Sequence, residues 1–475
     1  MTKLFILLLC FQICANAQLT KIVDNWKTDK DLKSAAIGYC VIDVKTNSVI
    51  AEYNSHQYLI PASTLKTITT GAALGVLGGG YRFETKLCYS GTFDKNTGIL
   101  NGDLYIYGHG DPTLQSENFT KYSVQITDKW ASVLKEKGLK EIKGKIIGDA
   151  SYFERIIPGN WIWGDINNYF GVAPCALSFY DNKFKILYTS KEAGSKAVVG
   201  RTFPSYLSNS ITINSNVIAK VTEDDAFVTG DPFSYSKDVS GKIPPNKNNF
   251  EVEAALPDPA LLCAEKLYLS LTKVGVKCNQ KSIESNYKRA DSTITKTTFY
   301  SHYSPSLDRI IYITNLKSNN LYCETILRAI GRGSMYLGID AVKNYWQKQG
   351  LDVSELFMVD GSGLSRANTV STNFQASLLA KIYKDSSGSF YKTFNASLPV
   401  AGKSGSMTNI GKGTFLENNM RAKTGYINRA RGYCGYVKTK SGKDLSFSVL
   451  FNNYNCSAKE AKTKIEKFLL ELPEL

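Results

Sequence analysis

Histidine is almost missing from this chain, with three residues in 475. None of the ten cysteines belongs to a Cys-x-x-Cys pair. Protein zinc sites are built from clustered cysteine and histidine, so no metal site is expected, and no cofactor either. The chain also lacks an Arg-rich tract and any nucleic-acid motif. Its formal charge is nevertheless +15, from 57 Lys and Arg against 42 Asp and Glu. Without such a motif the excess is read as attraction to an anionic cell envelope rather than to nucleic acid. The plainer alternative is a basic, soluble surface. Beyond the first residues no apolar run is long enough to cross a bilayer.

What is present starts with a leader. Met1-Thr2-Lys3 is a short basic start, and Leu4 to Cys14 is an apolar run of signal-peptide length. Ala15-Asn16-Ala17 is a small-x-small cleavage site, so the mature chain is expected to begin at Gln18. The protein is then exported, periplasmic or extracellular, with at most a loose association with the envelope. Cys10 follows three leucines rather than small residues, which argues against lipidation there. Removing the leader takes away Lys3 and no acid, so the charge falls by one to +14. Eight cysteines remain: Cys40, Cys88, Cys175, Cys263, Cys278, Cys323, Cys434 and Cys456. An even count in an exported protein permits disulfides. Several of these cysteines sit in apolar strand-like or helix-like runs, where buried free thiols are the expectation. Spacing alone does not define a pairing. Hydrophobic content of 43% and charged content of 21% fit a soluble globular protein. The length is too great for one core and implies two or three domains.

Residues 35–53 read as a hairpin about Lys45-Thr46-Asn47. A helix opens at Ser63 and ends at Gly78-Gly79-Gly80. Residues 83–109 read as two strands about the Asp94–Gly98 turn, followed by a helix near 123–137 and a strand into Gly148-Asp149. From about 166 to 250 the pattern is short strands and turns, with 244–249 a linker candidate. Pro257-Asp258-Pro259 opens a helix to about Lys273. Further helices are expected at 305–316, 321–331, 336–349 and 371–384. Three strands follow after 416, then a closing helix at 457–471 with Ala461, Ile465, Phe468 and Leu469 in one apolar stripe.

Three short patterns carry chemistry: Ser63-x-x-Lys66, Ser318-Asn319-Asn320 and Lys423-Thr424-Gly425. At i and i+3 of a helix, a serine hydroxyl and a lysine amine share one face. That pairing can activate a serine without histidine. Each pattern alone is weak. Ser-x-x-Lys recurs at Ser234 and Ser389, Ser-x-Asn at Ser116 and Ser371, and Lys-Ser-Gly at Lys403 and Lys440. Order and local setting separate the set from its decoys. Ser63 starts a helix, Ser318 lies between two helices, and Lys423 lies on a strand leading into two more. Ser389 is expected in a loop, and Lys403 and Lys440 in Gly-rich turns.

With these motifs the chain resembles the low-molecular-mass penicillin-binding proteins that act as D-alanyl-D-alanine carboxypeptidases and endopeptidases, in the class with a long insertion after the nucleophile. The resemblance extends to Gly102–Leu114, Leu316–Tyr322, Asp360–Arg366 and Leu398–Gly402. It implies an α/β (α+β) fold: a helix-sheet-helix transpeptidase-like domain from 18–85 and 290–475, an inserted domain from 86–165 and 246–289, and a nested domain from 166–245. It also implies roles. Ser63 would attack the carbonyl between two D-alanines and Lys66 would take its proton. For Lys66 to be a base it must be largely neutral, and burial and the nearby Lys423 are both expected to push it that way. Ser318 would relay a proton to the leaving amine, and Asn320 would bind the substrate amide, although Ser318 or Asn319 could equally cap a helix. Lys423 and Thr424 would bind the terminal carboxylate. Gly425 would let an extended substrate lie along the strand. The backbone N–H groups of Ser63 and Tyr426 would form the oxyanion hole. Tyr426 departs from the small hydroxyl residue found in relatives, which bears on specificity. Arg366 and Asp149 are candidates for reading the stem peptide, with a structural salt bridge as the alternative for each. The implied partners are peptidoglycan peptides, and β-lactams as covalent inhibitors. The competing readings are a serine β-lactamase and a non-catalytic envelope-binding protein. The long insertion argues against the first and the complete motif set against the second.

Overall fold

The computed structural model describes residues 19–120, 125–205, 210–288, 295–384 and 388–475. The expected leader lies outside these. The chain divides into two compact units. The first runs up to Tyr81 and resumes at Leu307–Gly331 and Met335–Leu475; the second is Arg82–Ser306 with Arg332–Ser334.

The first unit is built on an antiparallel sheet of five strands, in the order Arg421–Ile427, Ala430–Lys438, Asp444–Asn452, Ala36–Asp43, Ser48–Tyr53. Both ends of the sequence therefore meet in one sheet. Alternation of side chains along a strand decides what each face meets. Ile37, Tyr39 and Val41 join the core formed with Leu19, Val23 and Trp26 of the helix at 19–28 and with Ile465, Phe468 and Leu469. Cys40 and Ile42, one residue out of phase, meet Ala376 and Ala380 of the helix Thr372–Tyr383. The closing helix, Ala458–Glu471, buries Ala461, Ile465, Phe468 and Leu469, and begins with a capping box between Ser457 and Glu460. Its Phe468 ring lies 4.8 Å from Tyr39 and 5.7 Å from Trp26.

The helices expected in the second half are Leu307–Leu316, Asn320–Ile330, Met335–Lys348 and Thr372–Tyr383. One more was not expected. Ser389 is not in a loop but opens the helix Ser389–Ser397. Phenylalanine, tyrosine, threonine and asparagine are mediocre helix formers, so propensity does not announce it. Burial of Phe394 and Ser397 holds it.

The second unit carries a five-stranded mixed sheet, in the order Ile283–Asn286, Ile146–Asp149, Leu104–Gly108, Glu84–Tyr89, Thr297–Tyr303. Residues 83–109 hold four strands rather than two. The extra pair, Thr92–Asp94 and Ile99–Asn101, has three residues per strand, too few for a period to show. The helix Pro259–Lys273 starts at Asp258, whose side chain accepts from Leu261 N. Between 183 and 255 two three-stranded sheets form. The linker candidate at 244–249 is half strand: Lys247–Ala255 pairs with Lys183–Ser190. Among the described residues no disulfide forms; Cys40, Cys88, Cys175, Cys263, Cys323 and Cys434 are buried thiols. No described helix is long and apolar enough to cross a membrane.

Replacing Phe468 by alanine removes a fully buried ring that touches both the sheet and the N-terminal helix. The expected cost is about 3–5 kcal/mol, to be measured by denaturant unfolding.

Candidate active site

Ser63 does not sit in the α-helix itself. It lies in a 3-10 turn, Ala62–Leu65, that runs directly into the helix Lys66–Leu77. The residue before it, Ala62, has a φ of +47°. A side chain in that region costs about 1–2 kcal/mol, and such strain persists only where the surroundings hold it. Here they do. Asn452 accepts from Ile60 N and donates to Ile60 O, acting like a strand partner. Leu59 exchanges backbone bonds with Val370. Gln375 donates to Thr64 O and accepts from the Ser448 hydroxyl. On the far side of Ala62 is Gly363, with φ +81°, where an added Cβ would stand 1.9 Å from Ala62 O.

Lys66 is fully buried. Its Nζ lies 2.9 Å from Ser63 Oγ, 2.6 Å from Asn320 Oδ1 and 2.7 Å from Ser362 O. Burial lowers its pKa from 10.5 to about 8, opposed by Cys323, Asp360 and Glu324. The three contacts dictate how the neutral amine must point. A carbonyl oxygen can only accept, so Asn320 and Ser362 take its two N–H groups. The lone pair is left facing Ser63, whose hydroxyl can donate.

Ser318 follows the helix Leu307–Leu316 in the left-handed region, φ +57°. Asn319, not Ser318, caps the next helix, accepting from Tyr322 N at 3.0 Å. That cap places Asn320 at the first helical position, with Oδ1 on Lys66. Lys423 lies on the edge strand, fully buried. Its Nζ donates to Ser318 Oγ at 2.9 Å and to Thr424 O at 2.8 Å. Its pKa is held well below the usual lysine value by burial first and by the Lys66 charge second. The charge interaction between the two lysines lowers the pKa of Lys423, while Asp360 and Glu324 oppose the effect of burial on Lys66. Thr424 donates to Ser406, a residue outside the three motifs.

Gly425 also has a packing reason to be glycine. A Cβ there would stand 2.5 Å from Pro61 O, 3.0 Å from Thr64 N and 3.1 Å from Ser63 N. The glycine lets the strand close on the nucleophile turn. Tyr426 is half exposed, with the Arg431 guanidinium 4.7 Å from its ring. Arg366 donates to Asn428 O at 2.9 Å and so braces the hairpin after Tyr426; no salt bridge holds it among the described residues. Asp149 belongs to the second unit. It is fully buried, 2.5 Å from Lys296 Nζ, and also meets Asn286 and Ser151 N. This is the structural salt bridge left open as its alternative.

Of the decoys, Lys237 is buried on Asn167 Oδ1 and two backbone carbonyls, with no serine hydroxyl. Lys403 pairs with Glu417, and Lys440 with Glu474. Asp360 and Glu324 belong to none of the three motifs. Asp360 accepts from Gly363 N, Ser365 N and Asn368 Nδ2. The Asp360–Arg366 stretch is part of the resemblance, but nothing local marks it as the carrier of a carbonyl for Lys66.

If Lys66 is the base, its pKa near 8 predicts a pH profile. Acylation of Ser63 should rise about tenfold per pH unit on the acidic side and level off above about pH 8, in a stopped-flow assay with a chromogenic β-lactam. Gly425→Ala should lower the plateau by roughly tenfold to a hundredfold by displacing the nucleophile turn.

Comparison with known proteins places this geometry. The chain is 28% identical over 452 residues to the D-alanyl-D-alanine carboxypeptidase DacB of Haemophilus influenzae, covering 92% of this chain and 89% of that one. It is 26% identical over 468 residues to a D-alanyl-D-alanine carboxypeptidase of Actinomadura sp. strain R39, covering 93% and 82%. The crystal structure of penicillin binding protein 4 from Haemophilus influenzae superimposes with a TM-score of 0.78 at 24% identity, covering 94% of this chain and 98% of that one. Residues 19–472, which span every element of the site, match one family from end to end, and the chain is a member of the D-Ala-D-Ala carboxypeptidase 3 (S13) family.

Proposed function

We propose that the protein is a penicillin-binding serine D-alanyl-D-alanine carboxypeptidase, with endopeptidase action on cross-linked stem peptides of peptidoglycan. The observation that carries this reading is the setting of Lys66: a buried amine whose two obligate acceptors leave its lone pair for Ser63. Ser63 Oγ attacks the carbonyl between the two D-alanines as its proton passes to Lys66. The C–N bond then breaks, and the leaving amine takes a proton through Ser318, which Lys423 holds. Water releases the acyl group from Ser63. With Oδ1 on Lys66, the Asn320 Nδ2 is the group that meets the substrate amide. Lys423 and Thr424 receive the terminal carboxylate, for which a lysine that regains its charge on binding is suited. The N–H groups of Ser63 and Tyr426 are assigned to the oxyanion hole, supported by the closeness of Gly425 to the nucleophile turn.

The enzyme works outside the cytoplasm, in the periplasm or beyond the cell. Support comes from the leader-like N-terminus and the basic charge, which suits an anionic envelope. The stretch between the two halves of the catalytic unit is read as two inserted parts, the second nested in the first. The separate sheets between 183 and 255 support that division.

The test is intact mass after incubation with benzylpenicillin. The wild-type protein should gain one stable adduct and Ser63→Ala none. Lys66→Ala should slow acylation about 10²- to 10⁴-fold, the usual weight of a general base. Rapid penicillin hydrolysis without an adduct would point instead to a β-lactamase. Release of D-alanine from a pentapeptide, compared with cleavage of a cross-linked dimer, separates the two peptidase activities.

A further inference from the structure

Lys66 owes one of its three contacts to a turn that is remote from the nucleophile in sequence and belongs to none of the three motifs. That turn, Asp360–Gly363, is held from two helices. Thr69, on the nucleophile helix, donates to Gly361 O at 2.7 Å. Cys323, on the helix that starts at Asn320, points its thiol at the same oxygen at 3.0 Å. The next residue on that helix, Glu324, accepts from Gly361 N at 2.9 Å and from Ser362 N at 2.8 Å, both on Oε1. Its other oxygen meets Arg328, one turn on, at 3.2 Å. Glu324 and Arg328 are both fully buried. Two buried charges are expensive to desolvate, and a well-packed apolar pair would serve stability as well or better. A buried carboxylate aimed at the turn that supplies a ligand to Lys66 therefore calls for a reason beyond packing.

We propose that Glu324 is a positioning residue for Lys66: it orients the Ser362 carbonyl on Nζ, and its carboxylate moves upward the pH range in which Lys66 serves as base. The inference rests on the reading of Lys66 as the general base. The charged and titratable groups facing Lys66 come from four elements. The helix from Asn320 brings Cys323 and Glu324, with Arg328 beyond; the turn brings Asp360; the edge strand brings Lys423; and the neighbouring strand brings Cys434, beside Lys423. Burial keeps both thiols protonated. Asp360 and Glu324 are therefore the standing negative charges near the amine, and both hold its proton more tightly against burial. Without them Lys66 would be neutral at lower pH, but the turn that aims its lone pair would be loose.

The experiment is the pH dependence of the acylation rate constant with benzylpenicillin for wild type, Glu324→Gln, Glu324→Asp, the double variant Glu324→Gln/Arg328→Gln, and Lys66→Ala. Removing a negative charge disfavours the ammonium, so the acidic limb of Glu324→Gln should move down by about one pH unit. The double variant also removes the Arg328 charge, so its limb should move in the same direction by less. It covers the case in which an unpaired Arg328 prevents the single variant from folding. Glu324→Asp keeps the charge but shortens the reach. Its limb should stay at the wild-type pH while the plateau falls severalfold. A limb unmoved in the folded Gln variants, or an Asp variant with the wild-type plateau, overturns the proposal. If Lys66→Ala acylates like wild type, the base assignment has failed, and the proposal falls with it for that separate and visible reason.

Discussion

Everything in the catalytic unit answers to one constraint, a lysine amine kept out of water. A solvated lysine is charged at neutral pH and cannot take a proton from serine. Burial makes the charged form costly, and the pKa of Lys66 falls to about 8. Burial alone would leave a neutral amine with no direction. The carbonyls of Asn320 and Ser362 supply it by occupying two N–H groups. The surrounding carboxylates limit the shift, so that the amine is poised near working pH rather than driven far below it.

That constraint accounts for backbone features that would otherwise look wasteful. Ala62 and Ser318 both adopt left-handed conformations that non-glycine residues avoid. Each turns the chain sharply just where a motif residue must enter the site, and each is held by bonds from other segments. The two glycines nearest the nucleophile, Gly363 and Gly425, serve the same purpose from outside. Their missing side chains allow two strands of backbone to press on the turn that carries Ser63. The site is thus a place where local strain is balanced by long-range contacts, as preorganised sites require.

The paired lysines divide the work through their neighbours. Both are buried, and at Lys66 the carboxylates of Asp360 and Glu324 oppose the effect of burial. Lys423 is left with burial and the charge of Lys66, both against its ammonium. In the role proposed for Lys423, a substrate carboxylate would supply a counter-charge and so couple recognition of the peptide terminus to the protonation of this lysine.

Much was legible in the residues themselves. The hairpin, the helix after Ser63, the helix opened by Asp258 and Pro259, and the apolar stripe of the last helix follow from alternation, capping and a 3.6-residue period, all local properties. The three motifs and their order were local too, and they named Ser63, Lys66, Ser318, Asn320 and Lys423. What remained hidden depends on distance along the chain. The helix at Ser389 exists because Phe394 is buried, not because its residues favour a helix. The two-stranded reading of 83–109 failed because three-residue strands show no period. The Pro61 carbonyl that crowds Gly425 and the Lys296 partner of Asp149 are both remote in sequence. The sequence by itself determined which side chains could do the chemistry and in what order they occur. Only the tertiary structure decided that Lys66 is dry, which oxygens aim it, and that Glu324 and Asp360 stand beside it. Desolvation and hydrogen-bond direction are properties of surroundings assembled from segments 254 and 296 residues apart.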